Sequence, residues 1–501
     1  MRLNNKTVFI SLLISVLLFS GFAARKCSST EATSQTTKSR VSLQPCRVPN
    51  VEVDAKCGTY EVFEDRAAKT GRKISLNIIV VPALSPTPTP DPVFWLHGGP
   101  GAAATTTAPA VKAGFLSGVH QNHDVVFVDQ RGTGKSNGLN CDIGDDPADL
   151  KKYFGDLLPL NDVRQCREKL EKIANLKLYT TPIAMDDLDE VRDALGYDKI
   201  DIVGTSYGTV AAEVYMRQHH DHVRAVFMGG VAGVAIKQPL PFAAGAQHAL
   251  DLLFVDCAGD EVCNKEFPDL KKEFSAVIAR FDKGPVTAEL INPVTKEKQS
   301  INITRGSFVE RLRLLLYSTG SARFVPLIIH RAYANDYLPF ESIVVANNPG
   351  AITARGMYMT VTCAESVPFI TEAEIAKQTG GTFVGEYRVR AHIEACKEWP
   401  QASVPRNYIE RVKSDLPVLL ISGEADGSTP PWLGEEVAKS LTNGRQIKIR
   451  YYGHQTDGPC VLGILTDFIE KGTVKAVDTS CTDQIRRPPF ATEVPKRLSL
   501  Q

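Results

Sequence analysis

Ile200-Asp201-Ile202-Val203-Gly204-Thr205-Ser206-Tyr207-Gly208-Thr209-Val210-Ala211-Ala212 decides how this chain is read. An apolar run feeds a G-x-S-x-G turn, and the turn opens into a segment compatible with a helix through Tyr215. Strand, tight turn and helix in that order lift a serine hydroxyl out of a sheet edge on a strained backbone. Ser206 is therefore the candidate nucleophile. A serine that merely caps a helix has the same short pattern, so the reading depends on whether the rest of the chain supplies a base, an acid and oxyanion donors.

Other apolar runs extend the pattern. Ser75 to Val81, Val93 to Leu96, Val125 to Val128, Val223 to Met228, Val418 to Ile421 and Ile447 to Tyr451 all read as strands. Helical or loop segments separate them, which predicts an α/β fold with a mostly parallel sheet buried on both faces. The rhythm stops after Gly229. Helical patterns such as Asp269 to Phe281 and Ser307 to Tyr317 fill the interval. A largely helical cap is expected there, inserted before the last two strands and lying over the carboxyl edge where such sheets place their sites.

Val418 to Ile421 runs into Ser422-Gly423-Glu424-Ala425-Asp426, which offers two acids; Asp426 is the one chosen. The following strand ends at Tyr452-Gly453-His454, a histidine on a loop directly after the sheet. A serine needs such a base, and the base needs a carboxylate to orient it. The order Ser206, Asp426, His454 is that of an α/β-hydrolase. His97-Gly98-Gly99-Pro100-Gly101 follows another strand, so the backbone N–H groups of Gly99 and Tyr207 are the expected oxyanion donors.

Formal net charge is zero and 43% of the residues are hydrophobic, which suits a globular chain and gives no sign of a nucleic-acid partner. Residues 1–24 read as a signal peptide, with Arg2 and Lys6 ahead of an apolar core from Val8 to Phe19. That core falls short of the roughly 20 residues of a membrane span; an uncleaved anchor is the alternative. Eleven cysteines suit an oxidising, secreted or periplasmic setting. Neighbour pairing gives Cys46–Cys57, Cys141–Cys166, Cys257–Cys263, Cys363–Cys396 and Cys460–Cys481, with Cys27 left over.

No C-x-x-C pair points to a metal. His219-His220-Asp221-His222 is read as a solvated helix end, and no metal is expected. Gly132 to Ser136 ends like a phosphate-binding loop, but Asp129 stands where the first glycine belongs. No cofactor is expected. The predicted organisation is a signal at 1–24, a flexible segment at 25–45, hydrolase core at 46–229, cap at 230–404, core with a C-terminal disulfide segment at 405–490, and a tail at 491–501.

Taken together, His97 to Gly101, Asp129 to Ser136, Gly204 to Gly208, Gly423 to Asp426 with Thr429-Pro430, and Gly453-His454 resemble the proline iminopeptidase and secreted tripeptidyl aminopeptidase family. Val361 to Glu365, Ala395 to Pro400 and Cys460 to Phe490 look like that secreted branch, and the resemblance runs from about Cys46 to Phe490. It implies an aminopeptidase that passes through an acyl-enzyme on Ser206, with a peptide or small acyl substrate and Asp129 and Arg131 as structural braces. It also implies cap carboxylates near the bound N-terminus, which makes Glu365 either the expected substrate anchor or, equally, an ordinary solvated acid. Gly427-Ser428, where the family usually carries a proline-valine pair, and Gln455 after the histidine depart from its pattern. A carboxylesterase on the same triad is the alternative function. A binding protein on an inactivated hydrolase is a third, opposed by the intact Ser206, Asp426 and His454.

Overall fold

The computed structural model describes residues 41–48, 53–144, 148–292, 295–347, 353–454 and 457–494. The signal peptide, most of the segment at 25–45, Cys27, Gln455 and residues 495–501 of the tail lie outside the described residues.

Among the described residues eleven strands form in chain order: β1 Gln44–Arg47, β2 Asp54–Phe63, β3 Lys73–Val81, β4 Val93–Leu96, β5 Val125–Val128, β6 Ile200–Thr205, β7 Val223–Gly229, β8 Val286–Ile291, β9 Lys298–Ile303, β10 Val418–Gly423 and β11 Gly444–Ile449. Nine of them make one sheet in the order β1-β2-β3-β5-β4-β6-β7-β10-β11. Pairing is parallel from β5 to β11 and antiparallel among β1, β2, β3 and β5. The continuous apolar strands are explained by their two faces. Phe94, Val126, Ile202, Val226 and Leu420 enter one core cluster, and their neighbours Trp95, Phe127, Val203, Phe227 and Ile421 enter another. Successive side chains on a strand point to opposite faces, so a sheet covered on both sides needs apolar residues at every position.

The chain leaves β4 toward β5 on one side and returns to β6 on the other. This reversal opens a crevice at the carboxyl ends of β4 and β6, the place where open parallel sheets take ligands.

Between β7 and β10 the helices Phe242–Gly259, Leu270–Phe281, Arg305–Leu315, Val325–Tyr333 and Leu338–Ala346 share a third core with the hairpin β8–β9. Leu150, Phe154 and Phe490 join that core from outside the interval 230–404. Met357, Val361, Ala395 and Trp399 lie inside the interval and pack with the sheet instead. The helices Arg355–Glu365 and Tyr387–Lys397, which carry the first three of these, are joined by the Cys363–Cys396 disulfide. The other four disulfides also follow neighbour order: Cys46–Cys57, Cys141–Cys166, Cys257–Cys263 and Cys460–Cys481. Among the described residues no helix is long and apolar enough to cross a membrane.

Several strand bounds move by a few residues. The last strand ends at Ile449 rather than Tyr451, because Tyr451 turns the chain at φ +64°. The interval after β7 also contains the antiparallel pair β8–β9, whose outer face is exposed and whose alternation is short.

Candidate active site

Ser206 sits between β6 and the helix Tyr207–Gln218 at φ +56°, ψ −123°, a conformation costly for a residue with a side chain. Its N–H donates to the Gly229 carbonyl at 2.9 Å, which ties the turn to β7. Gly208 is required by close approach: a Cβ there would lie 2.1 Å from the Leu96 carbonyl oxygen. The helix that starts at Tyr207 leaves its first N–H groups without intrahelical acceptors. Gly99, at φ +117°, takes a backbone shape that suits glycine alone. Ser206, Tyr207, Gly99 and His454 all line one cavity of about 480 Å³.

His454 follows β11, and its N–H donates to the Tyr317 carbonyl at 2.6 Å. Its Nδ1 lies 2.9 Å from Asp426 Oδ2. Asp426 is fully buried. Its Oδ1 accepts the N–H groups of Ser428 and Thr429 at 2.7 and 2.8 Å, and its Oδ2 accepts the Thr429 hydroxyl at 2.7 Å. Burial alone would raise the Asp426 pKa, but His454 and these hydrogen bonds outweigh it and hold the carboxylate below its ordinary value. Burial lowers His454, yet the Asp426 charge and hydrogen bond raise it above the ordinary histidine value. Asp426 rather than Glu424 is thus the acid brought to the histidine. The departure at Ser428 has a use, since its N–H holds Asp426 and its hydroxyl donates to Tyr317 Oη at 3.1 Å.

Asp129 and Arg131 form the brace behind this edge. Asp129 accepts from Asn77 Nδ2, the N–H and hydroxyl of Thr105, and the Lys135 N–H. Arg131 is buried and pairs with Asp187 at 2.6 and 2.9 Å. His97 lines the cavity as well, and burial pushes it down to about 4, which keeps it neutral.

Glu365 requires a correction. It is 2% exposed and absent from the described residues lining the cavity. Its Oε1 accepts the Thr181 N–H at 2.6 Å, and its Oε2 accepts the hydroxyls of Thr181, at 2.7 Å, and Tyr408. Those donors hold it beneath Tyr207, whose hydroxyl lies 2.6 Å from Thr181 Oγ1. Among the described residues, the carboxylates that line the cavity are Glu310 and Asp457. Glu310 was legible as a charge inside the apolar stretch Phe308 to Tyr317, with Arg313 three residues on.

At the helix end, His219 and His222 pair with Asp186 and Asp189. Asp189, His219 and His222 offer ligand atoms within 4.8 Å of one another, as do Asp91, His123 and Asp201. Arg192 and Tyr215 already bind Asp189, and Arg224 binds Asp91 and Asp201, so both groups have cationic or hydroxyl partners in place.

Residues 91–254 match the family described as alpha/beta hydrolase fold, and residues 381–481 match the family described as TAP-like protein. The chain has the α/β-hydrolase fold and carries a TAP-like segment. The hydrolase is 25% identical to serine protease Hip1 of Mycobacterium tuberculosis strain H37Rv, over 88% of its own length and 91% of that protein's. It is 28% identical to a tripeptidyl aminopeptidase of Streptomyces lividans, over 93% of its length and 89% of the relative's. A proline iminopeptidase of Neisseria gonorrhoeae is 26% identical over 28% of the hydrolase and 32% of that protein.

Proposed function

We propose that the hydrolase is a secreted or periplasmic serine aminopeptidase that removes N-terminal residues or short N-terminal peptides. The observation that carries this reading is the cavity itself, in which Ser206, His454 and the Gly99 and Tyr207 backbone share one enclosure with residues of the segment 230–404. Its volume of about 480 Å³ is in the range of sites that enclose a small ligand. In this reading 230–404 is the cap. Five disulfides and the signal-like pattern at 1–24 support an oxidising compartment.

His454 takes the proton of Ser206 as the hydroxyl attacks the scissile carbonyl, and Asp426 steadies the imidazolium that results. Negative charge collects on the carbonyl oxygen and is met by the N–H groups of Gly99 and Tyr207. The protonated His454 then gives its proton to the departing amine, leaving an acyl-enzyme. Water, activated by His454, releases the acyl group and restores Ser206.

An aminopeptidase must also hold a free ammonium. Glu310 is already claimed by two guanidinium groups. Asp457, exposed at the cavity wall, is therefore the acid assigned to the substrate amine. The test is a panel of aminoacyl, dipeptidyl and tripeptidyl chromogenic amides beside short-chain esters, each with free and blocked N-termini. Hydrolysis of free-amine amides well above blocked ones supports the aminopeptidase. Turnover confined to esters supports the carboxylesterase.

A further inference from the structure

Glu310 is outnumbered. Its carboxylate accepts Nε of Arg313 at 3.1 and 3.2 Å, Nη2 of Arg313 at 2.6 Å, and Nη1 of Arg388. Glu310 is 2% exposed and Arg313 1%. One buried and one partly buried guanidinium group thus share one carboxylate, and the excess positive charge sits in the wall of the cavity that Ser206 also lines. The two groups are neighbours in space as well, with their Cζ atoms 5.0 and 5.1 Å from the centroid of the same Phe242 ring.

Their remaining donors are poorly matched. Nη1 of Arg313, beside Tyr317, and Nε of Arg388 are buried with no acceptor in hydrogen-bond geometry. Nη2 of Arg388 reaches the Tyr358 hydroxyl at 3.3 Å. A buried guanidinium is ordinarily paired and its N–H groups satisfied. A planar oxygen pair is the partner that fits such a fork.

We propose that the wall formed by Glu310, Arg313 and Arg388 binds a carboxylate of the substrate, so that the hydrolase prefers peptides carrying a negative charge to their neutral counterparts. An acidic side chain in the acyl portion and the C-terminal carboxylate of a short peptide have the same chemistry there. This rests on the cavity being the peptidase site, with Asp457 at the amine and the two arginines at the anion.

The test uses the full mature protein and matched substrate pairs. One pair carries Glu or Gln in the acyl portion of a tripeptidyl amide. A second is a neutral tetrapeptide with a free or an amidated C-terminus. Each pair is repeated with an ester at the scissile bond. Wild type should favour the carboxylate member of at least one pair by about tenfold or more in kcat/KM, and the pair that shows it identifies the source. Arg388→Gln should bring that ratio to within about twofold. Glu310→Gln, which removes the competing carboxylate, should widen it, and this second variant decides the matter if Arg388→Gln does not fold. Equal rates within every pair for wild type, or a ratio unchanged in both variants, overturns the proposal. If the esters turn over and the amides do not, the peptidase reading fails, and the carboxylate preference is then read from the ester pairs alone.

Discussion

Replacing Glu365 by Gln separates a buried brace from a substrate anchor. Burial raises this carboxyl from its ordinary 4.5 to about 7, against the lowering effect of hydrogen bonds from Thr181 and Tyr408. An acid with a raised folded pKa favours the fold only while protonated. Stability is therefore highest below the unfolded value and is lost as pH rises toward the folded one. Every tenfold change in proton affinity between the folded and unfolded chain is worth about 1.4 kcal/mol, so Glu365 withdraws on the order of 3 kcal/mol between pH 4.5 and 7. Glutamine keeps an oxygen for the Thr181 N–H and offers an amide to the Thr181 hydroxyl, at a cost of about 1 kcal/mol. Glu365→Gln should then be less stable than wild type by about 1 kcal/mol at pH 4.5 and more stable by about 2 kcal/mol at pH 8. Urea unfolding of both proteins, disulfides intact, at intervals across that range reads the difference directly. Burial also raises Glu213 and Glu341, to about 7 each, and the comparison cancels them because both proteins carry them. A stability difference that does not change with pH would refute the reasoning. In the same variant free-amine and blocked substrates should change together, and a loss confined to free-amine substrates would return Glu365 to the role of anchor.

Asp426→Asn should lower kcat by about four orders of magnitude, as loss of the orienting carboxylate does in other triads, whereas Glu424→Gln should stay near wild type; the opposite outcome reverses the assignment. The limb of kcat/KM that reports the base should rise through a pKa above the ordinary 6.5 of histidine, because Asp426 raises His454, and a limb below that value would contradict the pairing. Asp457→Asn should cost free-amine peptides about tenfold in kcat/KM and leave blocked substrates unchanged; equal losses on both would remove Asp457 from the amine. Peptide mapping without reduction should recover Cys363 with Cys396 and Cys460 with Cys481, and a free thiol at any of the four would contradict the cross-links.

The parallel half of the sheet was legible because both its faces are buried. Val93 to Leu96 and Val418 to Ile421 are apolar at every position and end in the loops that carry the chemistry. Strand β2 was not legible: it mixes Lys56, Tyr60 and Glu61 with buried Ala55 and Val62 in a partly exposed strand. Chain order brought Ser206, Asp426 and His454 together, because each stands just past a strand of one sheet and register fixes the rest. Glu365 misled because sequence neighbourhood to Cys363 does not say which side of a helix faces the cavity. Nothing local in the sequence tells that Thr181, Tyr207 and Tyr408 close around it. Glu310, Arg313 and Arg388 come together from two helices, Arg305–Leu315 and Tyr387–Lys397, and their convergence on one cavity is a tertiary fact.

The central claim is that Ser206 carries the acyl group. Stoichiometric labelling of the protein with a serine-directed fluorophosphonate, followed by peptide mass mapping, tests it most directly. The account predicts one adduct per chain, on Ser206, with turnover falling in proportion to labelling and neither label nor turnover in Ser206→Ala. An adduct on another residue, or hydrolysis that persists in Ser206→Ala, would contradict it.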